Sequence, residues 1–151
     1  MTKAPLHKGK INSMNISTRE YTPTVLRFGL CVLFLWFGIS QITNPTNWII
    51  WIPQWAPQIS GLGEETIVLL NGWLETIGGS LLLLGLWTRI VAFILSLHLF
   101  SIAWAVGYND IGVRDFALAV STLALSFFGP DKFTVDSMRS KKVSGNPVSQ
   151  E

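Results

Sequence analysis

Four long blocks dominate the pattern of apolar and polar positions along the chain. Residues 25–42 form 18 positions with one charge, Arg27, and residues 67–86 form 20 with one charge, Glu75. Residues 90–106 form 17 with no full charge but with His98, and residues 114–128 form 15, charged only in the first two. A membrane-spanning helix needs about 20 predominantly apolar residues, within a range of about 17–25. The first three blocks satisfy this and the fourth is short. Helices on the surface of a soluble globule carry a polar face. The runs LCVLFLWFGI, IVLLNGW and GGSLLLLGLW are apolar all round. The pattern therefore predicts an all-α integral membrane protein, an antiparallel bundle of four transmembrane helices.

Loop charges test this independently. Lys3, Lys8, Lys10 and Arg19 precede the first block, Arg89 sits in the second–third turn, and Lys132, Arg139, Lys141 and Lys142 follow the fourth. The first–second connection, residues 43–66, has no Lys or Arg and carries Glu64 and Glu65, while residues 107–113 carry only Asp110. Basic loops stay cytoplasmic, so both termini are expected in the cytoplasm, which needs an even number of spans. Residues 1–24 are polar and read as a cytoplasmic tail, with the first block as a retained signal anchor rather than a cleaved peptide. Residues 137–151 read as a disordered cytoplasmic tail.

Composition sharpens the class. Of 151 residues 49% are apolar and 13% charged, about half the charged share of a soluble domain. The net charge of +2 is too small to point to nucleic acid. The single cysteine, Cys31, excludes an internal disulfide and a CxxC redox pair. Seven tryptophans are many for this length, and tryptophan concentrates at membrane interfaces. Three of them, Trp48, Trp51 and Trp55, lie three and four apart in NPTNWIIWIPQWAP. This predicts a short interfacial or re-entrant segment, interrupted by Pro53, that serves as an aromatic anchor or as a lid over a site between helices.

Small and polar residues mark helix contacts in lipid. Helical spacing puts Arg27, Cys31, Phe34, Gly38 and Gln41 on one stripe of the first helix, and Gly72, Glu75 and Gly79 on one stripe of the second. His98, Ser101 and Ala105 align on the third, and Arg114, Ala117, Ser121 and Ala124 on the fourth. At 1.5 Å per residue Glu75 lies about 12 Å below one end of its helix and His98 about 12 Å above the other end of its own. In a core of about 30 Å they differ by roughly 6 Å in depth, close enough to meet directly or through one water. Arg27 could reach toward the pair or snorkel to the surface. A mid-membrane acid costs about 2.5–3.5 kcal/mol on insertion scales and so needs protonation or a partner. Arg114 and Asp115 read as an interfacial helix cap. One imidazole, one carboxylate and a distant thiol make no metal site.

These residues resemble the DoxX family of small bacterial four-helix membrane proteins, related to the DoxD-type subunits of thiosulfate:quinone oxidoreductases. The resemblance rests on Arg27 followed by Gly29 and Gly38, on Glu75 with Gly78 and Gly79, on the four leucines 81–84 with Gly85, Leu86, Thr88 and Arg89, and on the closing GPDKFTVD from Gly129 to Asp136. It covers roughly residues 25–136. Gln41 stands where the family often has a lysine, and Asp131 where its closing motif has a glycine.

The resemblance implies a multi-pass protein of the bacterial inner membrane linked to redox metabolism, with quinone as the expected partner and no intrinsic cofactor. Glu75 and His98 are then the candidate proton-handling residues, and Arg27, Trp73, Gln41 and Trp104 the candidates to hold a ring. Electrons would come from a partner redox protein. The alternative is a non-catalytic accessory or scaffold subunit of a larger membrane complex. A carrier using Glu75 is a third reading, opposed for a monomer by the absence of an inverted repeat of broken helices and open to a homo-oligomer.

Overall fold

A computed structural model describes residues 9–144, with side chains described over residues 21–140. Six α-helices follow in order: α1 Gly9–Thr43, α2 Trp55–Ser60, α3 Glu64–Leu84, α4 Thr88–Val106, α5 Asp110–Phe128 and α6 Val135–Ser144, with a 3-10 helix, Pro45–Trp51, between α1 and α2. No strand occurs among the described residues. Four helices cross the membrane: Tyr21–Thr43 of α1, α3, α4 and α5.

Helix boundaries follow local chemistry. α1 stops at Thr43 because Asn44 precedes Pro45, which disfavours helical backbone before it. α3 ends at Gly85, whose φ of 66° suits glycine, and Leu86 N–H donates to the Leu81 carbonyl to close a Schellman-type turn. α5 begins four residues before the fourth apolar block, because the Asn109 side chain accepts from the Ile111 and Gly112 amides. That capping role, expected of Arg114 and Asp115, therefore belongs to Asn109. It also lengthens the short fourth block to a 19-residue span.

The ends of the chain differ from their polar reading. Helix α1 extends back to Gly9, and residues 135–144, most of them expected to lack order, form α6. His7 and residues 145–151 lie outside the described residues.

The bundle is inside out relative to a soluble protein. Val25, Val32, Leu70, Ile77, Ile94 and Phe127 are exposed on the spans, while Arg27, Gln41, Glu75, Asp115 and Asp131 are buried. Lipid is as apolar as leucine, so polar atoms retreat to the interior and apolar ones face out. α1 lies directly on α3 where glycines meet. A Cβ on Gly38 would stand 2.7 Å from the Gly72 carbonyl oxygen, and one on Gly72 2.9 Å from that of Gly38. The predicted stripes on α1 and α3 are buried throughout. On α5 the buried stripe is Asp115, Ala119, Thr122 and Ser126. It is turned from the expected Arg114, Ala117, Ser121, Ala124 face, so Ala117 is exposed.

Charge locks one end of the bundle. Arg27 is fully buried, and its Nε donates to Asp131 Oδ2 at 2.8 Å, while one terminal nitrogen donates to the Leu82 and Leu83 carbonyls at 2.8 and 2.9 Å. It thus pairs with the loop after α5 and binds the last carbonyls of α3, where a cation also suits the helix dipole. Asp136 accepts from the backbone of Trp87 and Thr88, at 3.1 and 2.9 Å, and caps α4 from a distant part of the chain. Trp87 is held at a φ of 47°, a left-handed position rare for a bulky residue. Thr134 packs on Gly85, where a Cβ would meet it at 2.5 Å. The GPDKFTVD motif is thereby a clasp joining α1, α3, α4 and α5 at their basic end.

Candidate functional site

At the opposite, tryptophan-rich end the helices remain paired, α1 on α3 through Gly38 and Gly72 and α4 on α5. A cavity of about 480 Å³ opens there, bounded by α1, α3, α4, α5 and the segment between α1 and α2. Its walls are mainly apolar, including Leu33, Phe37, Val68, Leu99, Ile102 and Leu118. Polar groups gather at its floor. Gln41 Nε2 donates to Glu75 Oε2 at 3.0 Å, and Asn71 Nδ2 donates to Gln41 Oε1 at 2.6 Å and to Glu75 Oε1 at 3.3 Å. Both amides turn a nitrogen toward Glu75, so the three side chains form one hydrogen-bonded cluster.

His98 completes the cluster. Its Nε2 stands 3.5 Å from Glu75 Oε1, which is ion-pair distance if the ring is protonated. The alignment is not that of a hydrogen bond, and Nε2 is one of three buried side-chain polar atoms without a partner among the described residues. At 3.5 Å and without hydrogen-bond alignment the carboxylate leaves this nitrogen unsatisfied. A buried unpaired polar atom is costly, and in a native structure it calls for an explanation such as a bound group.

The tryptophan segment roofs this space. The break at Pro53 divides it into the 3-10 helix and α2, and Trp48, Trp51 and Trp55 all line the cavity. Trp48 packs edge-on against Phe37, ring centres 5.5 Å apart, and its indole donates to Ser40 at 3.3 Å. Lower on the wall, Arg114 lies over the Phe37 ring at 5.5 Å and pairs with Asp115 at 2.8 Å.

The candidate residues divide into two groups. Glu75, His98 and Gln41 are brought together at the cavity floor. Arg27 is not: it is spent on Asp131 and the α3 carbonyls, about 10 Å along α3 from Glu75 at the helical rise. Trp73 is 53% exposed and Trp104 87% exposed, and neither lines the cavity. The reason is angular. Trp73 is two residues from Glu75, about 200° round the helix, and Trp104 is six from His98, about 240°. Both belong to the outward face. Asn71 was not singled out, although a polar residue one turn from Glu75 in an apolar span is a legible signal. Asp131 and Asp136 carried a signal as well, since the carboxylates of the closing motif fall at the same end as Arg27.

The family profile for DoxX matches residues 22–107, more than half of the chain. The chain belongs to the DoxX family. No curated protein and no solved structure matches it. The matched region holds the floor cluster and the tryptophan roof, while Arg114, Asp115 and the clasp motif of this DoxX chain lie beyond it. Among the described residues, no three of His, Cys, Asp and Glu gather as a metal site would need.

Proposed function

We propose that this DoxX protein binds a quinone-type ring in the roofed cavity, as a membrane subunit linked to an oxidoreductase. The observation that carries the proposal is the orphaned His98 Nε2 beside Glu75 at the base of an otherwise apolar space. The volume falls within the roughly 300–1,000 Å³ of small-molecule sites, and a few convergent polar groups in apolar walls are their usual makeup. A quinone supplies two-electron, two-proton exchange when bound. His98 would hydrogen-bond the ring, and Glu75, fixed by Gln41 and Asn71, would hold or pass a proton to the imidazole. Phe37 and Trp48 would form the wall in place of Trp73 and Trp104. A partner redox protein would supply or take the electrons. The positive-inside rule favours placing the basic, clasped end in the cytoplasm of a bacterial cell and the tryptophan roof on the outer side of the inner membrane.

The test is direct. The protein is purified in mild detergent and its extracted lipids are assayed for quinone. Near-stoichiometric quinone that falls in Glu75→Gln and His98→Ala supports the proposal. Quinone at background level, unchanged by Glu75→Gln, overturns it. Co-purification with one complex at fixed stoichiometry, with activity surviving Glu75→Ala, would favour the accessory-subunit reading instead.

A further inference from the structure

Two acceptor oxygens on the cavity lining are left open among the described residues. At the floor Gln41 Nε2 donates to Glu75, Asn71 Nδ2 donates to Glu75 and to Gln41 Oε1, and Gln41 Oε1 is thereby already in use. Asn71 Oδ1 accepts nothing from the described residues. The second acceptor is on α5. Asp115 is 6% exposed and lines the same cavity. Arg114 directs both Nε, at 2.9 Å, and a terminal nitrogen, at 2.8 Å, to one oxygen, Oδ1. The other oxygen, Oδ2, accepts nothing from the described residues. Helix capping does not account for Asp115, because Asn109 performs it. At the level of Asp115 an open carboxylate oxygen thus faces the cavity, and the nearest cation, Arg114, is already turned to its other oxygen.

We infer that the cavity selects a hydrogen-bond-donating ligand, with Asp115 as a specificity residue nearer the roof than Glu75. The inference rests on the reading that this cavity is a ligand site, and it deepens it: the preferred occupant is the hydroxyl-bearing hydroquinone form of the ring. His98, in contact with Glu75, lies eight residues from the end of α4 and Asp115 five into α5 across a short turn, so Asp115 stands about 5 Å closer to the roof at the helical rise. A ring bearing carbonyls offers only acceptors. Against Asp115 Oδ2 it sets lone pairs opposite a buried carboxylate and satisfies nothing. A ring bearing hydroxyls donates to the same oxygens. Discrimination of this kind comes as much from the mismatch imposed on the wrong form as from the bonds made by the right one.

The test uses the full chain in detergent under anaerobic conditions, titrated calorimetrically with three probes: a decyl-benzohydroquinone, the matching quinone and the bis(methyl ether). The hydroquinone is expected to bind at least about tenfold more tightly than either of the others, the scale of one hydrogen bond to a charged group. Asp115→Asn replaces the open acceptor by a donor and is expected to abolish most of that preference. Asp115→Glu keeps an acceptor and is expected to retain it. Equal affinities of the wild-type protein for hydroquinone and quinone overturn this inference and leave the ligand site standing. Failure of all three probes to bind overturns both. The wild-type comparison decides the matter even if an Asp115 variant does not fold.

Discussion

Arg27 offers the sharpest stability test, because two readings of it differ by several kcal/mol. An arginine snorkelling to the membrane surface would contribute about 0–1 kcal/mol through a solvated pair. The structure instead buries Arg27 completely, with Nε on Asp131 at 2.8 Å, a second contact to Asp131 at 3.4 Å, and two α3 carbonyls at 2.8 and 2.9 Å. Arg27→Leu strands a buried carboxylate that retains the Phe133 amide as donor at 2.8 Å, and opens the end of α3. Breaking a buried pair in this way costs about 3–5 kcal/mol, and about 3 kcal/mol is a shift of over a hundredfold in the folding equilibrium. Asp131→Asn keeps the shape and one acceptor and is expected to cost about 1–3 kcal/mol. The double variant removes both charges, so it should be more stable than the sum of the single losses implies, by about 2 kcal/mol. Reversible unfolding in mixed detergent and SDS micelles, followed by tryptophan fluorescence, measures all four corners of the cycle. Single losses below about 0.5 kcal/mol, or strict additivity, would refute the clasp.

Other outcomes follow from the same geometry. Asp136→Ala removes the cap of α4 and should cost about 1–2 kcal/mol, with faster amide exchange at Trp87 and Thr88, the two amides it accepts from. Gly38→Ala drives a Cβ to 2.7 Å from the Gly72 carbonyl. It should cost about 1–3 kcal/mol by overpacking, and because Gln41 lies one turn on, ligand affinity should fall with it. Cys31, 1% exposed, should resist thiol reagents in the folded protein and react at once in SDS. Trp48→Phe loses the indole bond to Ser40, and should weaken ligand binding more than it weakens folding.

Much of the architecture was legible because the membrane imposes few choices. Once a segment is apolar all round it must span as a helix, and loop charge then orders the spans. The α1 stripe from Arg27 to Gln41 and the α3 stripe through Glu75 were readable because glycines and polar residues recur there at helical spacing with little competition. The α5 stripe was not. Residues 114–128 offer small residues on two neighbouring faces, and only the contact with α4 selects Asp115 and Ala119 over Arg114 and Ala117. Depth brought Glu75 and His98 to nearly one level. Depth alone could not say that Arg27 would be claimed by Asp131, which is 104 positions away in sequence. The tryptophans were misplaced for a simpler reason. Aromatic character suits a ring wherever it sits, but angular position decides the face, and Trp73 cannot share one with Glu75.

The two ends of the bundle divide the work, and the connections explain why the cavity lies where it does. At the basic end α3 and α4 are joined by the tight turn through Gly85, and Asp131 and Asp136 tie that turn region to α1 and α5. Toward the other end α1 stays on α3 through Gly38 and Gly72 and α4 stays on α5, so the cavity lies between two packed pairs, with the long segment between α1 and α3 along its rim. The floor cluster marks the depth at which packing gives way to space: below it Phe34, Leu82, Leu95 and Leu125 are essentially fully buried, and above it the walls line a cavity. A packed core therefore separates Glu75 from the basic end. A cysteine at Asn71 should accordingly react with a membrane-impermeant thiol reagent added on the tryptophan side and stay protected from the basic side, and labelling from the basic side would show that the core does not seal the site.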